Sequence, residues 1–162
     1  MTNDHIATYL NDHLAGSVVA LELLETLEAT HAKTPLADFF AKLRADIAAD
    51  RQELETLMGR LEITESRTRK ASAWLAEKVT ELKLRLDDPK DGDLRLFESI
   101  EALSLGIEGK KSLWLALSAA AEDTPALRLV DYERLIQRAE EQRSRVEAMR
   151  LDTAKTALAF AP

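Results

Sequence analysis

The chain has 162 residues, of which 46% are hydrophobic and 31% charged, with five Gly, four Pro and no Cys. This length and composition predict one folded, helix-rich domain over residues 1–162, and the lack of Cys excludes disulfides and Cys-based metal sites. A formal net charge of -7 argues against a nucleic-acid partner, because phosphate recognition depends on clustered Lys and Arg.

The start of the chain predicts neither a signal peptide nor a membrane anchor. It reads Met1-Thr2-Asn3-Asp4-His5, with an acidic residue where a signal peptide would carry basic ones. No uncharged apolar run approaches the length needed to span a membrane. We therefore expect a cytoplasmic protein with no membrane partner.

Breaks in the apolar pattern divide the chain into five predicted helices. Thr34 followed by Pro35 is typical of an N-cap with Pro at the first helical position, and Thr124-Pro125 repeats that pattern. The helices are predicted over residues 4–32, 35–61, 66–86, 93–121 and 125–158. Short connections make sequential helices antiparallel, so the sequence predicts an all-α, up-and-down bundle of about five helices.

The apolar stripes of these helices differ in width. The stripe of the second helix is wide and suits a bundle core, and it runs through Phe40, Leu43, Ile47 and Leu54. The third helix has a narrow stripe and a basic start at residues 67–70, which is typical of a solvated helix start, so we expect it at the periphery. The fourth is apolar around most of its circumference and is predicted to be central.

Several polar residues fall inside or at the edge of these stripes, where an unpaired charge would be costly. They are His13, Ser17, Asp50, Glu101, Glu108, Lys111, Arg143 and Arg150. His13 is most simply a satisfied core histidine, and Ser17 a small residue that permits close helix approach. Border residues such as Glu101 and Arg150 can equally reach solvent. Asp50 and Arg143 are the strongest candidates for a buried ion pair.

The polar segments resemble those of the ferritin-like carboxylate bundles, in which Glu and Glu-x-x-His motifs on four helices hold two metals. Leu10-Asn11-Asp12-His13-Leu14-Ala15-Gly16-Ser17 is similar to the first-helix segment, with Ser17 in the place of the ligand Glu. Asp50-Arg51-Gln52-Glu53 and Glu140-Glu141-Gln142-Arg143 resemble the two Glu-x-x-His motifs, with Glu53 and Arg143 in the His positions. The resemblance implies a four-helix bundle in which the short third helix is the crossover.

Two functions of different classes are compatible with this pattern. The first is a non-enzymatic bundle, without cofactor, that binds a protein partner or forms a homo-oligomer. An ion-pair network would then replace the metal centre, formed by Asp50, Glu101, Glu108, Lys111, Arg143 and Arg150. The alternative is an iron or manganese oxidoreductase or stress protein, whose candidate ligands are His13, Asp50, Glu53, Glu101, Glu108 and Glu140.

Two further possibilities concern non-redox ligands. A cluster of Asp50, Glu101 and Glu108 could hold Mg²⁺ or Ca²⁺ through oxygen atoms alone. A bundle interior could also take a small molecule or lipid. The sequence contains no P-loop, no His-Glu-x-x-His and no Gly-x-Ser-x-Gly motif. Its one glycine-rich spot, residues 105–109, is expected to allow close helix contact.

Overall fold

A computed structural model describes residues 3–66, 77, 80–81 and 92–160. Within these ranges it contains no strand, and its α-helices are α1 (Asn3–Thr30), α2 (Pro35–Arg60), α3 (Gly92–Ala120) and α4 (Tyr132–Ala157). The all-α prediction is confirmed. Four of the five predicted helices lie within the described residues. The predicted helix over 66–86 lies almost wholly outside them, as does most of the predicted loop before α3.

The helix starts show which sequence signals decide the local structure. The side chain of Thr34 accepts a hydrogen bond from the Leu36 N–H at 3.3 Å, as the N-cap prediction requires. The last helix begins later than predicted. Pro125–Leu127 form only a short 3-10 turn, and α4 starts at Tyr132 behind Asp131, whose carboxylate accepts from the backbone N–H of Arg134 at 3.1 Å. Asp131 therefore takes the capping role that Thr124-Pro125 was predicted to have.

The bundle consists of two helical hairpins, α1 with α2 and α3 with α4, which meet through α1 and α3 and, more sparsely, through α2 and α4. One core cluster combines the later half of α1, the earlier halves of α2 and α3 and the later half of α4. A second cluster combines the opposite halves. Each hairpin is therefore antiparallel, whereas α2 and α3 run in the same direction.

A polar residue interrupts the core stripe midway along each of three helices. On α2 the buried positions follow a heptad spacing through Phe40, Leu43, Ile47, Asp50, Leu54 and Leu57. On α4 the same spacing runs through Tyr132, Leu135, Ala139, Gln142 and Val146. On α3 it runs through Leu103, Ile107, Lys110, Trp114 and Leu117. Asp50, Lys110 and Gln142 are thus placed to meet at the centre.

None of the described helices is both long enough and apolar enough to cross a membrane.

Removal of the Thr34 cap is expected to lower stability measurably. Thr34→Ala leaves the N–H of Leu36 without its side-chain acceptor, and loss of such a cap typically costs about 1 kcal/mol. Thr56→Ala is the control, since Thr56 is also exposed, lies within α2 and bonds only to the Gln52 carbonyl. Urea denaturation should show a loss for Thr34→Ala and almost none for Thr56→Ala. Equal losses would contradict a capping role.

Candidate functional site

Asp50 lies at the centre of a buried hydrogen-bond network, with only 3% of its surface exposed. Its Oδ1 atom accepts a hydrogen bond from Nε of Arg138 at 2.7 Å and another from Nη2 of the same guanidinium. Its Oδ2 atom accepts from Nε2 of Gln142 at 2.8 Å and from the ammonium group of Lys110. Both carboxylate oxygens are therefore occupied by donors from α3 and α4.

The amide of Gln142 completes this network, which we call the central polar layer: Asp50, Lys110, Arg138 and Gln142. Gln142 has no exposed surface, and its Oε1 atom accepts from the Lys110 ammonium while its Nε2 atom donates to Asp50. A buried charge is tolerated when it is paired and its hydrogen bonds are satisfied. The layer meets that condition for Asp50, and it ties α2 to both helices of the second hairpin.

The central polar layer carries an excess of positive charge. It contains one carboxylate and two cations, and among the described residues Asp50 is the only carboxylate within ion-pair distance of Lys110 or Arg138. Lys110 is the more buried cation, with 15% of its side chain exposed against 28% for Arg138. Burial lowers the pKa of Lys110, and the attraction of Asp50 offsets only part of that effect.

A cavity of about 350 Å³ lies beside the layer, between α1, α2 and α3, and Asp50 and Lys110 are part of its lining. Much of the wall consists of small residues from the two helices that face each other: Gly16, Ser17, Ala20, Ala102, Gly106 and Gly109. A Cβ atom added at Gly106 or Gly109 would meet nothing within 4 Å. The expectation that this glycine-rich spot serves close helix contact is therefore wrong, because Gly106 and Gly109 border open space.

Two further side chains on the cavity wall have unusual environments. His13 packs edge-on against Tyr9, with the ring centroids 4.8 Å apart, and burial lowers its pKa despite the opposing effect of Asp12. Trp114 is 1% exposed, and its indole N–H finds no acceptor among the described residues. A buried donor without an acceptor is unfavourable. The indole nitrogen has almost no accessible surface, so it does not face the open space of the cavity, although Trp114 is part of the lining.

Asp50 is confirmed as a core residue, but its predicted pairing with Arg143 is wrong. Asp50 binds Arg138 instead, whereas Nε of Arg143 lies 3.0 Å from Oε2 of Glu108, with both side chains nearly half exposed. Arg143 follows Gln142 directly and lies outside the heptad stripe of α4. The core-facing position therefore belongs to the glutamine.

The other residues of the predicted ion-pair network form separate bridges between α3 and α4. Lys111 pairs with Glu140 at 3.1 Å, and Arg150 pairs with Glu101 at 3.0 Å. All these side chains are partly exposed, and exposed pairs typically contribute about 0–1 kcal/mol each. The residues of the predicted network are thus divided. Asp50 lies in the buried central polar layer, and the others form three partly exposed ion pairs between α3 and α4, one of which is Arg143 with Glu108.

The candidate metal ligands are also dispersed. Glu53 bonds to Arg134 at 2.8 Å, while Glu101, Glu108 and Glu140 are held by the α3–α4 bridges. Across residues 3–66 and 92–160, no three His, Asp or Glu side chains form a group that could hold a metal ion. Of the candidate metal ligands, only Asp50 belongs to the central polar layer. Both of its carboxylate oxygens already accept hydrogen bonds from Lys110, Arg138 and Gln142.

Comparisons with protein-family models, with curated proteins and with solved structures gave no match.

Sequence reasoning missed Lys110, Arg138 and Gln142. A signal for two of them was present, because Lys110 and Gln142 occupy heptad positions between buried apolar residues. Arg138 lies one residue before the buried Ala139 and reaches Asp50 from the edge of the stripe. No spacing rule predicts that contact, since it depends on the length of the arginine side chain.

The lowered pKa of His13 predicts a specific loss of stability in mild acid. Because the folded state holds this proton less tightly than the unfolded chain, stability should fall as pH drops below the ordinary value of about 6.5. His13→Gln should reduce the difference in melting temperature between about pH 7.5 and about pH 5.5. His5→Gln, at an exposed position, is the control. An unchanged pH dependence in His13→Gln would contradict the burial of this imidazole.

Proposed function

We propose that this chain is a non-enzymatic, ferritin-like bundle that acts as a binding module and holds a small molecule in the cavity beside its central polar layer. The observation that carries the proposal is the open space at Gly106 and Gly109, inside a long helix. Glycine within a helix is about 1 kcal/mol less favourable than alanine. Side chains that would fill the space are absent at both positions, and a volume of about 350 Å³ falls within the range of ligand pockets.

The ferritin-like part of the proposal is supported by topology. Since α2 and α3 run in the same direction, one long connection joins the two hairpins, as in ferritin-like bundles. The central polar layer also lies midway along the helices, where such bundles carry ligands on facing helices. In this chain the facing groups include a cation and an amide.

The composition of the layer favours a binding module over the iron or manganese alternative. A metal ion at Asp50 would have to displace donors from Lys110 and Arg138, and those cations would repel it. Metal content separates the two functions directly. We expect less than about one iron or manganese per chain after purification without chelators. Stoichiometric metal that is lost in Asp50→Asn would favour the alternative.

The proposed cavity function is tested with Nile red, a neutral apolar probe whose fluorescence rises in an apolar environment. The full-length chain should bind it saturably, and Gly106→Leu should weaken binding at least tenfold because the new side chain occupies the cavity. Gly59→Leu is the matched control, since a Cβ at Gly59 also meets nothing within 4 Å but Gly59 is not part of the cavity wall. Equal binding by all three proteins would contradict the proposal.

Self-association and protein binding, the other roles that the sequence suggests, would use the outer surface. Exposed apolar side chains such as Leu115, which is 47% exposed on α3, are the groups they would require. Sedimentation velocity over a range of concentrations tests this role separately from the cavity. If the chain functions through self-association, Gly106→Leu should self-associate like the wild-type chain. If it functions through the cavity, Gly106→Leu should lose ligand binding.

A further inference from the structure

The cavity has one apolar end and one polar end. Its apolar end is formed by Val19, Ala20 and Leu23 of α1 together with Ala102 and Leu103 of α3. The polar end lies further along the same helices and is lined by His13, Asp50, Lys110 and Trp114. On α1 the wall extends from Asp12 to Leu23, which at 1.5 Å per residue corresponds to roughly 16 Å. This shape suits an elongated molecule with one polar end.

One N–H donor at the polar end has no partner among the described residues. Lys110 has three N–H donors, and the structure uses two of them, one on Asp50 and one on Gln142. A ligand with an acceptor atom at its polar end would bind the remaining N–H of Lys110, and buried donors gain most from such partners.

The charge at the polar end favours an anion. The central polar layer beside the cavity holds one carboxylate and two cations, of which Lys110 is on the cavity wall and Arg138 is not. A monoanion at Lys110 would therefore balance the charge of the layer. The wall also carries one further charge of each sign, Asp12 and Arg51. Both are partly exposed, so water reduces their effect on an anion, and Arg51 already pairs with Glu55. A positive charge in a desolvated site binds an anion more strongly than it would in water.

We infer that the cavity binds a straight-chain fatty acid, with its carboxylate on the ammonium group of Lys110 and its chain between α1 and α3. This inference rests on the proposed function, because it names the ligand class of the same cavity. Glycine and alanine on both walls leave room for a methylene chain. The carboxylate supplies an acceptor oxygen for the remaining N–H of Lys110 and the single negative charge that balances the central polar layer.

The ligand class is tested by calorimetric titration of the delipidated full-length chain with three probes that share a ten-carbon tail: decanoate, decanol and decyltrimethylammonium. A charge-assisted hydrogen bond typically gives roughly a tenfold or greater gain in affinity, so decanoate should bind at least tenfold more tightly than decanol. Decyltrimethylammonium should bind more weakly than decanol, because Lys110 repels it. Equal affinities for decanoate and decanol would overturn the inference.

Two adjacent lysines provide matched variants. Lys110→Met removes the proposed partner of the carboxylate but leaves Arg138 and Gln142 on Asp50, so we expect the bundle to fold. It should lower the affinity for decanoate to that for decanol and leave decanol binding unchanged. Lys111→Met is the control, because Lys111 pairs with Glu140 and is not part of the cavity wall. Tight decanoate binding by a folded Lys110→Met would overturn the inference.

Failure of the inference and failure of the proposed function give different results. If decanol and Nile red bind, Gly106→Leu blocks both, and decanoate has no advantage, the cavity is a binding site but its ligand is not an anion. If none of the probes binds the wild-type chain, both the inference and the proposed cavity function are wrong. Circular dichroism of each variant establishes that it is folded before its affinity is interpreted.

Discussion

Asp50→Ala is expected to destabilise the protein by about 3–5 kcal/mol, because it leaves Lys110 and Arg138 at the centre of the bundle without their carboxylate. Asp46→Ala is the control. Asp46 lies one turn earlier on α2 and pairs with Arg145, but both side chains are more than a third exposed, so its loss should be below about 1 kcal/mol. Chemical denaturation of both variants measures the difference, and similar losses would contradict a buried network.

Double-mutant cycles identify which arginine forms the ion pair with Asp50. The structure predicts coupling of more than about 1.5 kcal/mol between Asp50 and Arg138, whose guanidinium donates twice to the carboxylate. For Asp50 and Arg143 it predicts additive effects within about 0.5 kcal/mol, since Arg143 binds Glu108. Strong coupling of Asp50 to Arg143, and not to Arg138, would contradict the contact between Asp50 and Arg138.

The helices were predictable where strong local signals agree. The start of α2 follows from Thr34 and Pro35, and its wide apolar stripe leaves a single choice of buried face. The start of α4 was not predictable in the same way, because Thr124 with Pro125 and Asp131 are both acceptable N-caps. The choice depends on contacts made after folding, such as the hydrogen bond from the Tyr132 hydroxyl to the Leu127 carbonyl.

The candidate site was predictable only in part. Asp50 is predicted to face the core because it lies between Ile47 and Leu54 on α2. This holds for a helical period of either 3.5 or 3.6 residues per turn. On α4 the assumed helical period decides which residue is predicted to face the core. A repeat of 3.5 residues predicts Gln142, whereas a repeat of 3.6 residues per turn also allows Arg143. The glycine-rich spot at residues 105–109 does line the cavity, but glycine in a helix is equally compatible with close helix contact. The volume of the cavity depends on how far apart α1 and α3 stand, which no sequence pattern gives.

Replacement of the whole central polar layer by apolar residues is expected to restore the stability that Asp50→Ala removes. In a variant with Asp50→Leu, Lys110→Met, Arg138→Met and Gln142→Leu no charge of the layer remains to be desolvated. Buried ion pairs replaced in this way often leave a protein as stable as before or more stable by about 1–4 kcal/mol.

The same variant should lose its preference for decanoate over decanol, because the ammonium group of Lys110 is gone. Denaturation and calorimetry on one preparation measure both properties. Suppose that the variant is more stable than the wild-type chain but binds decanoate and decanol with equal affinity. The central polar layer then serves binding at the expense of stability, a trade-off that is common at functional sites. If the variant is instead less stable than Asp50→Ala, the layer itself stabilises the bundle, and its presence needs no ligand to explain it.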